Sequence, residues 1–546
     1  MRQLIDRTGS TWLFVAGFII LCSAFEYGRV MNLRPFPHHL SRQTAALSFT
    51  YTYWLDGNDF FEPELQHLAA DGLSSGRTVA ECPILYYLVA KLWYFTGPSE
   101  FAYRALMLIL HFLASLALFR TLERVLGHGG WAALVSLFFF TSPAVVYFAI
   151  SFMPDVPAFD LMLLGLAALF RRWPERSVSG FVWAAVFFTL AGLLKLPALM
   201  APLTLLILLL AETAIPRHFS GSKPFFEHKV VAALLLGGIL LVNFAWYSWS
   251  KNYVDSHGFP FSHSGTWAFW DLTPEQVDKA VQSGLGVTVW QLFDTPAWIM
   301  LGSMLFFLVV HFKRLELSEW LVLFSLFAGV ALFTMLWFIT LDAHEYYFII
   351  PLLLPIYIVA LFLRTLKSTY PKIFTSRWAI GAFVVLIGYH AVYASNNHRM
   401  RTRSNGPFVP EHYLPLYHPD EAFFWDMAQY WSMVPCLRME PYLTSIGIEQ
   451  EDKIIIANDR TVCAGLYLLN RKGWVDFGMD PFNAAALDAR ILQGARYFMY
   501  QENYWTPEPW LLPYLGLQVG QFEGMRIFDL HADEGAVVQE GYKLNE

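Results

Sequence analysis

Ionisable residues beside membrane-length apolar runs are rare and usually functional, and this chain places several in such positions. Asp155 lies in Ser151-Phe152-Met153-Pro154-Asp155-Val156-Pro157 and Lys195 in Gly192-Leu193-Leu194-Lys195-Leu196-Pro197, each between two apolar segments. His344-Glu345 stands directly before Tyr346-Tyr347 and the apolar run that opens at Phe348. Glu81 precedes Cys82-Pro83 at the end of a long polar stretch that also carries Arg42. A carboxylate in such a place suits a general base that takes a proton from a nucleophile. A lysine suits a point charge on a phosphate, and a His-Glu pair suits a phosphate, a sugar hydroxyl or a divalent ion.

Each residue also has a plainer reading. Asp155 before Val-Pro fits a helix N-cap, although helix N-termini also attract anions. Lys195 fits a side chain that snorkels to the interface, His344-Glu345 a structural pair, and Glu81 a solvated loop acid. Asp56, Asp59, Glu62 and Glu64 read as ordinary loop charges.

The elements that position these residues follow from composition. Of 546 residues, 56% are hydrophobic and 15% charged, against roughly 25% charged in soluble proteins, and the mean hydropathy is +0.41. This is an α-helical polytopic membrane protein. A net charge of -7 excludes general nucleic-acid binding. A spanning helix needs about 20 apolar residues. About eleven transmembrane helices are expected, near 11–28, 101–120, 131–150, 157–170, 178–194, 196–212, 230–250, 296–312, 320–341, 347–363 and 377–394. With the N-terminus inside, each inner connection carries Lys or Arg, as the positive-inside rule requires. The Arg399–Arg403 cluster after the last helix is the exception. The same orientation sends Glu81, Asp155, Lys195, His344 and Glu345 to one outer face.

Two long outer loops, about 31–98 and 251–295, belong with the membrane domain 1–398. A loop of such length usually has a function, and the first is expected to cap a membrane-embedded site and supply a carboxylate to it. Within it, the residues after Pro83 read as an amphipathic interfacial helix, and the second loop holds an amphipathic stretch near Thr273–Ser283. Residues 399–546 are richer in charge, Pro and Gly. Ile454-Ile455-Ile456-Ala457 and Arg496-Tyr497-Phe498-Met499-Tyr500 read as strands, with helical periodicity over 483–493 between them. This part is expected to form a small C-terminal α/β domain outside the membrane. The four cysteines lack metal-site spacing; Cys436 and Cys463 fit either a disulfide or two buried thiols. P-loop, dinucleotide, Gly-x-Ser-x-Gly and His-Glu-x-x-His motifs are absent from the sequence.

Taken in order, the long first loop with Glu81-Cys82-Pro83-Ile84-Leu85-Tyr86-Tyr87, then Ser142-Pro143 and Met153-Pro154-Asp155, then Lys195-Leu196-Pro197, then His344-Glu345-Tyr346-Tyr347 with Pro351 and Pro355, resembles the GT-C membrane glycosyltransferases. The nearest type is the bacterial protein mannosyltransferase/aminoarabinose transferase-like group. The resemblance covers about residues 1–395, and Leu466–Trp474 is similar to the outer domain of some bacterial members.

The resemblance implies an inverting enzyme of the bacterial cytoplasmic membrane, with an extracytoplasmic active face. It would move a sugar from a polyprenyl-phosphate donor to an envelope glycan, lipid or protein. No cofactor is required by the sequence, and metal dependence varies across such enzymes. In many bacterial relatives the catalytic acid follows an Arg-Gln pair early in the first loop, whereas Arg42-Gln43 is followed here by Thr44-Ala45-Ala46. Glu81 takes the role of base, or an acid among Asp56–Glu64 does, or activity has been lost. The assignment favoured is Glu81 as base with Asp155 assisting, Lys195 and His344 on the phosphate, and Glu345 and Arg42 in supporting roles. The competing functions are a transporter or lipid flippase, and an inactive descendant of the enzyme. A transporter should show repeats and broken helices in matching halves, which the sequence does not suggest.

Overall fold

The computed structural model describes residues 2–72, 75–79, 81–171, 177–216, 225–257, 266–342, 344–402, 421–477 and 483–531. Its contacts divide the chain into two compact units. One comprises Met1–Met31, Tyr103–Tyr247 and Gly265–Asp420; the other comprises Asn32–Ala102, Ser248–Ser264 and Glu421–Glu546.

The first unit is helical. Each apolar run expected to span falls on helix, among them Arg2–Ala24, Glu100–Leu126, Asp155–Leu169, Val178–Leu194, Leu317–Leu336, Leu353–Thr369 and Arg377–Thr402. Among the described residues, six helices are individually long and apolar enough to cross a membrane. A seventh candidate is the pair Pro274–Leu292 and Thr295–Val310, bent by 88°. Gly9–Ala24, Gly129–Phe140 and Val178–Leu194 are apolar but shorter, so fewer runs meet the length criterion than the eleven counted from apolarity. The run 131–150 is broken at Thr141-Ser142, with Pro143 opening the next helix. Helices approach closely where a side chain is missing: a Cβ on Gly17 would come within 2.5 Å of Leu137, as small residues allow in membrane bundles.

Three breaks place polar side chains. The helix Val178–Leu194 stops at Lys195, whose backbone is extended (φ -151, ψ 118), before the turn Leu196–Leu199 and the helix Met200–Ala214. Pro197 has no N–H with which to continue the helical hydrogen-bond ladder. At the bend near residue 294, Asp294 Oδ1 accepts the Ala297 N–H at 2.8 Å, and Asp294 Oδ2 meets His390 Nδ1 at 3.2 Å. The last helix runs to Thr402 rather than ending near 394. Arg399 and Arg401 are therefore helical residues, and their charges are neutralised: Arg399 Nη2 lies 2.5 Å from Glu26 Oε1 and Arg401 Nη2 3.2 Å from Glu345 Oε1. That pairing accounts for an excess of positive charge at this end, because paired arginines do not act as solvated loop charges.

The second unit is built on a five-stranded sheet. Its strands are β1 (Lys453–Ile456), β2 (Gly473–Val475), β3 (Ala495–Gln501), β4 (Leu517–Phe522) and β5 (Met525–Asp529), in the order β2-β1-β3-β5-β4. β1 is parallel to β2 and β3, while β5 is antiparallel to β3 and β4. Both expected strands and the helix between them (Ala484–Leu492) are present. The first loop is part of this unit. His67 bridges Gly473 in parallel fashion, the Gly473 N–H donates to the Gln66 carbonyl at 3.1 Å, and the Gln66 amide donates to the carbonyls of Leu466 and Arg471. Leu68 joins the core of Ile455, Trp474, Leu487 and Phe498. The loop thereby covers the exposed edge of β2, which would otherwise present unpaired backbone groups. Only glycine fits at 473, where a Cβ would meet the Ile454 carbonyl oxygen at 1.8 Å. The amphipathic stretches are helices, Ile84–Thr96 and Pro274–Ser283, the latter with a Thr273/Gln276 capping box. Cys436 and Cys463 are free, buried thiols.

Candidate active site

In the helical unit, Asp155 is the first residue of its helix, with Pro154 as N-cap and no side-chain cap. The N-cap reading of Asp155 is thus replaced by an ion pair: Lys195 Nζ lies 3.1 Å from Asp155 Oδ1. Asp155 is 1% exposed and Lys195 8%, so Lys195 is paired in the interior rather than reaching for the interface. A carboxylate in the first helical turn also gains from the helix dipole. The ammonium sits 4.7 Å from the ring centroid of Tyr347 and 5.6 Å from that of Tyr346. Such cation–π contacts contribute about 2 kcal/mol or more when desolvated.

His344 and Glu345 each have a partner elsewhere in the unit. His344 Nδ1 is 2.7 Å from the Asp342 carbonyl oxygen, which fixes the tautomer with the proton on Nδ1. Glu345 is buried and bridges Arg401, itself fully buried. The Arg401 guanidinium lies 5.2 Å from the Tyr147 ring centroid, and Phe148 meets Tyr346 at 5.6 Å. Four of the six residues singled out from sequence are therefore assembled in one polar patch of a helical unit. Arg401, Tyr147 and Tyr347 belong to it and were not singled out. The signal for Arg401 was present in Asn396-Asn397-His398, an unusually polar end to an apolar helix, all three residues being fully buried.

In the sheet-bearing unit, Glu81 is 8% exposed. Arg42 Nη2 donates to Oε1 at 3.2 Å and to Oε2 at 3.5 Å, and the Tyr86 hydroxyl donates to Oε1 at 2.6 Å. Glu81 is thus a buried, oriented carboxylate and not a solvated loop acid. Arg42 projects from the helix Leu40–Leu55. Beside it Gln43 turns its amide to the His38 carbonyl at 2.7 Å, and Thr44, Ala45 and Ala46 are buried in that helix. The other acids are ordinary: Asp56 pairs with Lys472 at 2.8 Å, Glu64 with Arg77 at 3.3 Å, and Asp59 and Glu62 are exposed.

A family model described as dolichyl-phosphate-mannose-protein mannosyltransferase matches residues 80–246, the segment holding Glu81, Asp155 and Lys195. A search of the curated proteins finds no match. The crystal structure of ArnT from Cupriavidus metallidurans in the apo state is similar at 15% identity and a TM-score of 0.56, covering 96% of this chain and 98% of that one. The same protein bound to undecaprenyl phosphate is similar at 13% identity and a TM-score of 0.55, covering 97% and 99%. The arabinofuranosyltransferase AftD from Mycobacteria is similar at 11% identity and a TM-score of 0.50, covering 94% of this chain and 40% of that one. At these identities the likeness is one of fold. The comparisons thus show a fold shared with ArnT over nearly the whole chain, and a match to the mannosyltransferase family model over the segment that holds three of the candidate residues.

Proposed function

We propose that this protein transfers a hexosyl or pentosyl unit from a polyprenyl-phosphate donor to an envelope glycan, lipid or protein. The reaction takes place at the outer face of the bacterial cytoplasmic membrane, and residues 399–546 lie on that side. The observation that carries the reading is the buried Asp155–Lys195 pair on the Tyr346 and Tyr347 rings, inside a helical membrane unit. A cation held in a low-dielectric site acts strongly on an anion.

In the proposed reaction the acceptor oxygen attacks the anomeric carbon on the side opposite the phosphate. A new carbon–oxygen bond forms, the bond to the phosphate oxygen breaks, and the configuration inverts. Glu81 takes the acceptor proton, with Arg42 and Tyr86 orienting its carboxylate. Lys195 offsets the charge on the departing polyprenyl phosphate, and Asp155 assists by holding Lys195. His344 donates from Nε2 to a phosphate oxygen as an imidazolium, with its Nδ1–H kept on the Asp342 carbonyl, and the Glu345–Arg401 bridge keeps the His344–Tyr347 turn in place.

The phosphate's charge is met by lysine, so the reaction is written without a metal. The binding step is tested by titrating purified protein in lipid with undecaprenyl phosphate. Lys195→Ala should weaken binding by about tenfold, the scale of one charge-assisted contact. Unchanged affinity would remove Lys195 from the donor site.

A further inference from the structure

Residues 504–514 of the sheet-bearing unit hold two tryptophans, two tyrosines and three prolines. The segment leaves the carboxyl end of β3, and its short helix Pro509–Tyr514 lies beside the helix Ala484–Leu492. Leu511 is fully buried, and Trp505, Trp510 and Tyr514 pack on the core that holds Leu487 and Phe498. Each of these three rings keeps part of its surface open to solvent, and Leu512 and Pro513 are exposed. Proline fixes its own backbone angle φ, so the segment presents its rings from a stiff support.

Two of the rings are held by carboxylates at their polar edges. Trp510 Nε1 donates to Glu508 Oε2 at 2.9 Å, and the Tyr514 hydroxyl donates to Asp488 Oδ1 at 2.8 Å. The two ring centroids are 6.5 Å apart, with their planes inclined by 75°. Asp488 shares the outward face of its helix with Ala485 and Ala489, both exposed, since residues three and four apart on a helix are neighbours. Small methyl groups thus adjoin the ring pair. In these two segments Asp488 and Glu508 are the exposed charged groups, and Arg490, the single basic residue, is buried. The surface is rigid, aromatic and acidic.

A pyranose carries weakly positive C–H groups on its faces and hydroxyls around its rim. The C–H groups suit the negative face of an aromatic ring. A carboxylate that takes one hydrogen bond from a ring edge has lone pairs left for sugar hydroxyls, and charge-assisted bonds of that kind are strong. Rings ordered in advance lower the cost of binding. The same two carboxylates repel anionic sugars and anionic lipid head groups, which sets this surface apart from a membrane contact. We propose that the Trp510–Tyr514 face binds an uncharged glycan chain and so tethers the acceptor to the protein. The use made of the bound chain rests on the transfer reading and on the outer placement of this unit; the binding itself rests on neither.

Isothermal titration calorimetry of the intact protein in lipid nanodiscs, without donor, tests this with maltohexaose, cellohexaose, mannohexaose and, as the anionic counterpart, hexagalacturonic acid. At least one neutral chain should bind with a dissociation constant on the order of 1 mM or tighter, and the anionic chain about tenfold more weakly. Trp510→Ala should weaken binding of the neutral chain about tenfold. Asp488→Ala and Ala489→Arg, at exposed positions where melting should be unchanged, should each weaken it about fivefold. Absence of binding by every neutral chain would overturn the proposal. So would equal binding of the anionic chain, or unchanged affinity in both exposed-position variants. Binding of a lysine-rich peptide in place of all the sugars would give the surface to a basic protein instead. No donor or turnover enters this titration, so its failure leaves the transfer reading standing, and lost transfer with intact binding leaves this one.

Discussion

Lys195 has two roles that substitution can separate. Removing a buried partner leaves the other charge uncompensated, at a cost of about 3–5 kcal/mol. Lys195→Ala should therefore lower thermal stability as well as donor binding, whereas Lys195→Ala with Asp155→Asn should recover most of the stability and none of the binding. Melting temperature and undecaprenyl phosphate titration on both variants check this; joint recovery would make the pair structural only. Glu81→Gln keeps the Tyr86 and Arg42 contacts available on its carbonyl oxygen but cannot accept a proton. It should reduce turnover about 10²–10⁴-fold with expression intact, and near-normal turnover would remove Glu81 as base. At this scale the sequence was informative about residue type and poor on partners. An aspartate and a lysine 40 residues apart announce themselves by the apolar runs around them. That they bond to each other, or that Glu345 bonds to Arg401, depends on helix packing that no local pattern encodes.

Among the elements, helix positions were legible because apolar length and period are written locally. The ends were not: the last helix continues through Arg401 because Glu26 and Glu345 neutralise its arginines. The first loop was the largest departure. Its residues Gln66 to Leu68 complete the sheet edge and core of the second unit, a long-range pairing invisible in a stretch without strand periodicity. His67 reports on that docking. Burial, and then the neighbouring Arg490, push its pKa from 6.5 down to about 3, against a bond to the Phe477 backbone. A depressed folded-state pKa means the contribution is present above pH 6.5 and lost as pH falls towards 3, by up to about 1.4 kcal/mol per pH unit. Thermal melts across that range should show His67→Gln with a flatter acid limb than wild type; parallel curves would mean that His67 does not remain buried and neutral.

For the whole molecule, charge bias and apolar length indicated a polytopic membrane protein, and the fold agrees. Orientation is testable at Leu492, which is 88% exposed on the sheet-bearing unit. Leu492→Cys should react with a membrane-impermeant maleimide in intact cells. Reaction only after permeabilisation would invert the topology and move the proposed chemistry to the other face. Sugar and acceptor choice are set by pocket shape, which no linear motif carries.

Transfer from a lipid-phosphate sugar by Glu81 with the Asp155–Lys195 pair is tested most directly with radiolabelled sugar and the purified protein in lipid, across a panel of polyprenyl-phosphate sugars, with wild type, Glu81→Gln and Asp155→Asn side by side. Turnover with one donor in wild type, lost in both variants, is the predicted result. Donor binding without turnover by wild type, or turnover that survives both substitutions, would contradict it.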